Sequence, residues 1–210
     1  MSHVEQEPPA AGAGGDADEE IIRPAFHHAF LKTTRLAEMK SWYALVIGLT
    51  PTFAWETGAF LSNDKANHRI VLYTSKNIYE DEGKVNHAGL HHLAFEYETG
   101  DELLATYTRL KARGIEPHMA IDHGLTTSFY YLDPDGNSLE LQYDNFGDWA
   151  KSTEFMRTAP EFKEDWIGPP IDPAQLVAAR ARGASIEDIH RRAYAGEMKP
   201  AEPHDSRLPA

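Results

Sequence analysis

An approximate internal repeat constrains the fold of this chain more than any other feature of its sequence. His28 and His92 each close an HH doublet and lie 64 positions apart, while Gly48 and Gly114 end two predicted helices and lie 66 apart. The same order of predicted elements follows each doublet: one strand, one helix and three strands. A repeat of about 65 residues therefore predicts two βαβββ modules.

Each such module has one helix to cover one face of its sheet, so two modules can pair their sheets around a cup. We therefore predict an α+β fold in which modules at residues 25–75 and 88–145 form a cup-shaped mixed sheet within one domain, residues 24–145. A C-terminal extension, residues 146–210, is predicted to be helical after an irregular aromatic segment at 146–169.

The two ends of the chain are predicted to be loosely structured. Residues 1–23 are rich in Gly, Ala and Pro and acidic, which predicts a disordered arm that includes His3. The last dozen residues are predicted to form a loose tail.

Composition restricts the partners and the chemistry. The formal net charge of −13 disfavours nucleic acid and anionic membranes as partners. The chain has no cysteine, so a metal ion would have to bind histidine and carboxylate side chains. No apolar run is long enough to span a membrane, and the N-terminus is acidic where a signal peptide would be basic, which predicts a cytoplasmic protein.

A predicted hairpin near the end of the second module brings two polar side chains together. Its strands, TTSFYYL and SLELQY, flank a DPDGN loop at residues 133–137. This loop pairs Leu132 with Ser138, and Tyr130 then lies directly opposite Glu140 on the same face of the sheet. An exposed hairpin with Glu140 in water is the alternative.

Strand alternation selects one histidine from each doublet. Adjacent strand residues point to opposite faces, and the apolar neighbours of the other histidine belong against the helix, so His28 and His92 are predicted to face the cup. With Glu140 they would form a 2-His-1-carboxylate site, which favours non-haem Fe(II). The alternative is that these histidines are hydrogen-bonded core or surface residues.

Four motifs extend this argument through a family resemblance. The chain resembles the vicinal oxygen chelate superfamily over about residues 24–145, and within it the extradiol ring-cleavage dioxygenases. The motifs are HHAFLKT followed by WYALVIGL, FLSNDKANHRIVLY, GLHHLAFE and DHGLTTSFYYLDPDGNSLELQY.

This resemblance implies the roles of six residues. The metal ligands for Fe(II), or Mn(II) on the same ligand set, would be His28, His92 and Glu140, and the catalytic residues would be His68, His123 and Tyr130. The implied reaction is ring opening of a catechol-type diol by O2. Separately, a single module pair with an amphipathic tail predicts a homo-oligomer.

Two other functions stay open. A glyoxalase- or epimerase-like isomerase would need an additional carboxylate in the cup, for which Glu96 is the candidate. A metal-free protein that binds aromatic compounds would leave the predicted metal ligands without a role. His87, His118 and His190 match no motif and are predicted to lie on the surface.

Overall fold

A computed structural model of the protein describes residues 21–209. Most of the predicted N-terminal arm, residues 1–23, therefore lies outside the described residues. The first module comprises β1 (Ala29–Lys32), α1 (Leu36–Ile47), β2 (Thr50–Trp55), β3 (Gly58–Ser62) and β4 (Ile70–Tyr73). The second comprises β5 (His92–Tyr97), α2 (Gly100–Lys111), β6 (Met119–Asp122), β7 (Thr126–Leu132) and β8 (Ser138–Asp144).

The two modules have the same topology. Within residues 21–209 the strands form two separate four-stranded sheets, in the orders β1-β4-β3-β2 and β5-β8-β7-β6. In each sheet the first strand is parallel to the last one, and the remaining pairs are antiparallel. The predicted α+β fold with two βαβββ modules is therefore confirmed.

One hydrophobic core joins the modules. Helix α1 buries Met39, Tyr43 and Val46 and ends at Gly48, which has the left-handed backbone that favours glycine. Helix α2, which starts at a capping box formed by Thr99 and Glu102, packs its apolar face into the same cluster. The helix-covered face of each sheet is therefore buried, which leaves the opposite face for polar chemistry.

The loop of the β7–β8 hairpin fixes the register that the sequence predicts. The carboxylate of Asp133 accepts hydrogen bonds from the backbone N–H groups of Asp135 and Asn137, and Gly136 takes a positive φ of 72°. Tyr130 then pairs with Glu140. The predicted register is confirmed.

The C-terminal extension is more ordered than the sequence suggested. It contains α3 (Trp149–Thr158), α4 (Pro160–Glu164), α5 (Pro173–Ala181) and α6 (Ile186–Tyr194). The prediction of an irregular segment at residues 146–169 was wrong, because Asp148 caps α3 and Pro160 opens α4.

The terminal residues are also held in place. The backbone N–H of Ala120 donates to Nδ1 of His204, and the carbonyl oxygens of Asp205 and Ser206 accept hydrogen bonds from histidine rings of the second module. The loose tail predicted for the last dozen residues was therefore wrong at residues 204–206, which are held against the second module. Among residues 21–209, no helix has the length and apolar character needed to cross a membrane.

Candidate active site

Four of the predicted site residues meet on the open face of the second sheet. The phenol of Tyr130 donates to Oε1 of Glu140 over 2.9 Å, and Nε2 of His92 lies 3.0 Å from Oε2 of the same carboxylate. Nε2 of His123 lies 2.9 Å from the phenol oxygen of Tyr130. Glu140 therefore stands between His92 and a Tyr130–His123 pair, and we name these four residues the second-module cluster.

Glu140 is held in its charged form although it is buried. Burial alone would raise its pKa, but hydrogen bonds from His92 and Ser128, the charge of His92 and the hydrogen bond from Tyr130 together lower the pKa below its ordinary value. A carboxylate that stays ionised while 5% exposed can serve as a metal ligand.

The two neighbouring acid–base groups are shifted toward their neutral forms. Burial lowers the pKa of His123, although the negative charge of Glu140 acts in the opposite direction. Burial and the charge of Glu140 raise the pKa of Tyr130 well above its ordinary value. At neutral pH the cluster therefore combines a neutral imidazole with a protonated phenol.

The proton count around His92 identifies a place for a cation. Nε2 of His91 donates to the carbonyl of Ser206 over 3.0 Å, so in the neutral ring Nδ1 of His91 accepts, over 2.7 Å, from Nδ1 of His92. Nε2 of His92 faces the carboxylate of Glu140, and the hydrogen bond between them places a proton at this position. A metal ion that binds both atoms would take the place of that proton.

The spacing of these two atoms suits a divalent ion. His92 Nε2 and Glu140 Oε2 lie 3.0 Å apart, close enough for both atoms to bind one ion. Imidazole and carboxylate are both ligand types that Fe(II) accepts. The second oxygen of Glu140 and the second ring nitrogen of His92 are each hydrogen-bonded, as is usual for metal ligands.

His28 and His68 lie in a separate group on the first module. Among residues 21–209, the one group of three or more metal-ligating side chains whose ligand atoms all lie within 4.8 Å of one another is His27, His28 and His68. The rings of His28 and His68 are 4.4 Å apart, and Phe60 stacks on His68 at 4.6 Å. We name the three histidines the first-module cluster.

The structure thus divides the six predicted residues between two clusters. It brings His92, His123, Tyr130 and Glu140 together, whereas His28 lies beside His68. The complete ligand set of two histidines and Glu140 therefore stays a prediction.

A cavity of about 870 Å³ separates the neighbouring edges of the two sheets. It is bounded by β1 and β5, by the connector between the modules, and on one side by His91 and His92. It does not include Glu140, so it is an approach to the second-module cluster and not the cluster itself.

The first module lacks a counterpart of Glu140. In the second module His92 pairs with Ser138, two residues before Glu140. The strand after His28 pairs Ala29 with Ile70, so the corresponding position in the first module is Val71, which is buried. The repeat therefore supplies one carboxylate and not two.

A sequence profile of the Glyoxalase/Bleomycin resistance protein/Dioxygenase superfamily matches residues 25–141. The chain is also 36% identical over 181 residues to biphenyl-2,3-diol 1,2-dioxygenase 2 of Rhodococcus globerulus, covering 86% of this chain and 94% of that protein. The chain belongs to this superfamily. Biphenyl-2,3-diol 1,2-dioxygenase 3 of the same organism is 36% identical over 174 residues, covering 83% of this chain and 91% of the relative.

A solved structure of the superfamily supports the fold alone. The glyoxylase/bleomycin resistance protein/dioxygenase domain from Frankia sp. EAN1pec aligns with a TM-score of 0.50 at 20% identity, covering 59% of this chain and 93% of that domain. The resemblance that the sequence motifs indicated is confirmed by the superfamily profile and the two Rhodococcus relatives.

Sequence reasoning missed the histidines that connect the site to its surroundings. His190 was expected on the surface, yet its Nδ1 donates to the buried carboxylate of Asp122 over 2.8 Å. His118 is half-buried, with Ser138 at 3.0 Å and the carbonyl of Asp205 at 2.7 Å. The burial of His190 could have been predicted from the sequence, because His190 lies on the same helical face as Ile186 and Ile189.

Proposed function

We propose that this protein is an Fe(II)-dependent extradiol dioxygenase that opens the ring of a catechol-type diol and inserts both atoms of O2. The two Rhodococcus relatives, which are named as biphenyl-2,3-diol dioxygenases, support an oxygenase of this kind. Mn(II), which the same ligand types accept, is the alternative metal.

The observation that carries this proposal is the continuous contact from His123 through Tyr130 and Glu140 to His92. It joins a carboxylate and an imidazole that can hold a metal to two groups that can move a proton. His28 would complete the ligand set from the first module. Such a metal, when bound, would hold the catechol oxygens and favour their deprotonation.

The protein's own groups have clear tasks in this proposal. His123, kept neutral by burial, can accept a proton from a substrate hydroxyl. Tyr130, kept protonated, donates its one proton to Glu140 and so orients that carboxylate, while its phenol oxygen can accept a hydrogen bond from a substrate hydroxyl. The cavity beside His92 would admit an aromatic ring. His68 would face the oxygen-binding side, as the family resemblance implies.

The glyoxalase-like alternative is less well supported. An isomerase of this superfamily would need a further carboxylate, but Val71 occupies the position equivalent to Glu140. Glu96, the other candidate, is exposed, and its carboxylate accepts hydrogen bonds from Gln142 and Trp149. Oxygen dependence separates the two reactions.

The first-module cluster is a rival location for the metal. Its three histidines lie close enough to bind a divalent ion without Glu140. Two variants distinguish these locations. Glu140→Ala would remove the metal from a site that includes Glu140 but not from a three-histidine site. His27→Ala would remove the metal from the three-histidine site but not from one that includes Glu140.

The test is oxygen uptake by anaerobically purified, iron-loaded protein with 2,3-dihydroxybiphenyl and with simple catechols. We expect iron-dependent uptake and a yellow ring-opened product. Glu96→Gln is the matched control, because it alters a carboxylate on the same sheet face outside the cluster. Bound iron without oxygen uptake across these diols would favour the isomerase, and failure to bind iron would favour a metal-free binding protein.

A further inference from the structure

The carboxylate of Asp122 is the most deeply buried charged group next to the proposed site. Asp122 ends β6, directly before His123, and is 0% exposed. Its Oδ1 accepts from the backbone N–H of Gly124 over 2.9 Å, and its Oδ2 accepts from Nδ1 of His190 over 2.8 Å. Asp122 thus joins the turn that carries His123 to a residue 68 positions away.

The partner of Asp122 belongs to the C-terminal extension. His190 lies in α6, its side chain is 20% exposed, and its ring stacks on Tyr194 at 6.0 Å. A carboxylate can only accept hydrogen bonds, so the proton of this contact is on Nδ1 of His190. The contact therefore has a defined donor and a buried acceptor.

The C-terminal extension also encloses the turn itself. A Cβ atom at Gly124, which has a φ of 81°, would lie 2.8 Å from the ring of Phe155 in α3. A Cβ at Gly168 would overlap the backbone carbonyl of Asp122, whose N–H donates to the carbonyl of Pro169 over 3.1 Å. Helices α3 and α6 and the segment before α5 thus pack on the backbone around His123.

The geometry points to a positioning role: we propose that His190 and Asp122 hold the turn that carries His123, so that its imidazole stays in contact with Tyr130. The C-terminal extension would then be part of the acid–base apparatus and not only a docked appendage. This inference rests on the proposed function, because the task of His123 is defined by the dioxygenase reaction.

Two substitutions at one position provide the test. His190→Leu keeps the branching at Cγ but removes the donor, whereas His190→Asn places an amide nitrogen on Cγ where Nδ1 was. We expect His190→Leu to lower kcat about 10-fold with little change in KM, which is the scale of losing a neighbouring hydrogen-bond partner. We expect His190→Asn to restore most of that loss.

A double-mutant cycle separates positioning from general stability. If His190 acts through His123, then His190→Leu should cost nothing further in a His123→Gln background. Full additivity in this cycle, or equal losses in the Leu and Asn variants, would overturn the inference. Absence of dioxygenase turnover in the unaltered protein would instead overturn the proposed function.

A measurement on the metal-free protein completes the test without activity. In histidine-labelled protein, the ring nitrogen resonances of His123 should move in His190→Leu and in Asp122→Asn. Arg180→Ala is the matched control, because Arg180 ties α5 to Asp101 by an exposed ion pair of 2.6 Å away from this turn. Unchanged His123 resonances in folded His190→Leu protein would contradict the positioning role.

Discussion

The two modules repeat one topology but surround their histidine doublets differently. In both doublets the Nδ1 atoms lie close together, at 3.0 Å for His27 and His28 and at 2.7 Å for His91 and His92. His27 and His28 are exposed, whereas His91 is fixed by the C-terminal tail and His92 by Glu140. The same local sequence thus becomes a defined site only where other elements supply partners.

The two modules share a fold, but only the second has the side chains of the candidate active site. The second module has a carboxylate at the position where the first has Val71, and it has Tyr130 and His123 beside that carboxylate. The first module offers an aromatic surface instead, with Phe53 exposed and Phe60 stacked on His68. Its proposed contribution to the metal is His28 alone.

Removal of Glu140 should have the largest effect on this asymmetry. Glu140→Ala takes away a ligand and the acceptor for Tyr130, so we expect iron affinity to fall by more than the ~10–100-fold typical of a lost neighbouring partner, and turnover to disappear. Iron analysis after gel filtration measures the loss. Full iron retention would move the metal to the first-module cluster.

Substitution of His123 should have the next largest effect on turnover, and it should leave the metal content unchanged. His123→Gln removes a general base, which is worth about 10²–10⁴-fold in kcat. Because burial lowers the pKa of His123, the neutral base persists as the pH falls, and its acidic limb should lie below pH ~6.5. A pH–rate profile that keeps this limb in His123→Gln would assign it to another group.

The same shift has a consequence for stability. As the pH falls, His123 takes up a proton at a higher pH in the unfolded chain than in the folded protein. The free energy of unfolding therefore decreases as the pH falls from the unfolded pKa of His123 toward its lower folded pKa. His123→Gln should therefore flatten the decline of unfolding free energy below pH ~6.5. Urea titrations at several pH values would measure it.

The effect of Tyr130→Phe should be smaller. The ring still fills its place among Met119 and Ile121, but the hydrogen bond to Glu140 and the contact with His123 are lost. We expect full iron content and a kcat about 10²-fold lower. An unchanged kcat in iron-replete protein would remove Tyr130 from the mechanism.

Two buried tyrosines allow the modules to be compared through stability alone. The hydroxyl of Tyr43 donates to the buried carboxylate of Asp133 over 3.1 Å, whereas the hydroxyl of Tyr131 has no hydrogen-bond partner among residues 21–209. Tyr43→Phe should cost about 1–3 kcal/mol of unfolding free energy, and Tyr131→Phe should cost nothing. Equal losses in urea unfolding would contradict this difference.

His27→Ala should have the smallest effect. His27 is exposed and contacts His28 from outside the proposed ligand set, so iron content and kcat should match those of the unaltered protein. Loss of iron from this variant, with retention of iron in Glu140→Ala, would place the metal at the first-module cluster and not at Glu140.

Local signals in the sequence predicted most of the fold and half of the site. The turn residues of DPDGN defined the register that places Tyr130 beside Glu140, and the alternation LHHLAFE assigned His92 to the open face. Apolar periodicity did not reveal the contact between His190 and Asp122, because polar pairs far apart in the chain leave no period. Nor did it reveal that His28 lies with His68, which follows from the parallel pairing of β1 with β4 inside the first module.

The most direct test of the central proposal is the fate of isotopically labelled dioxygen during turnover of a catechol by iron-loaded protein. The proposed extradiol reaction predicts that both labelled atoms appear in the ring-opened product, as measured by mass spectrometry under conditions that limit exchange with water. A product with no labelled oxygen, formed at the same rate without dioxygen, would contradict it and favour an isomerase.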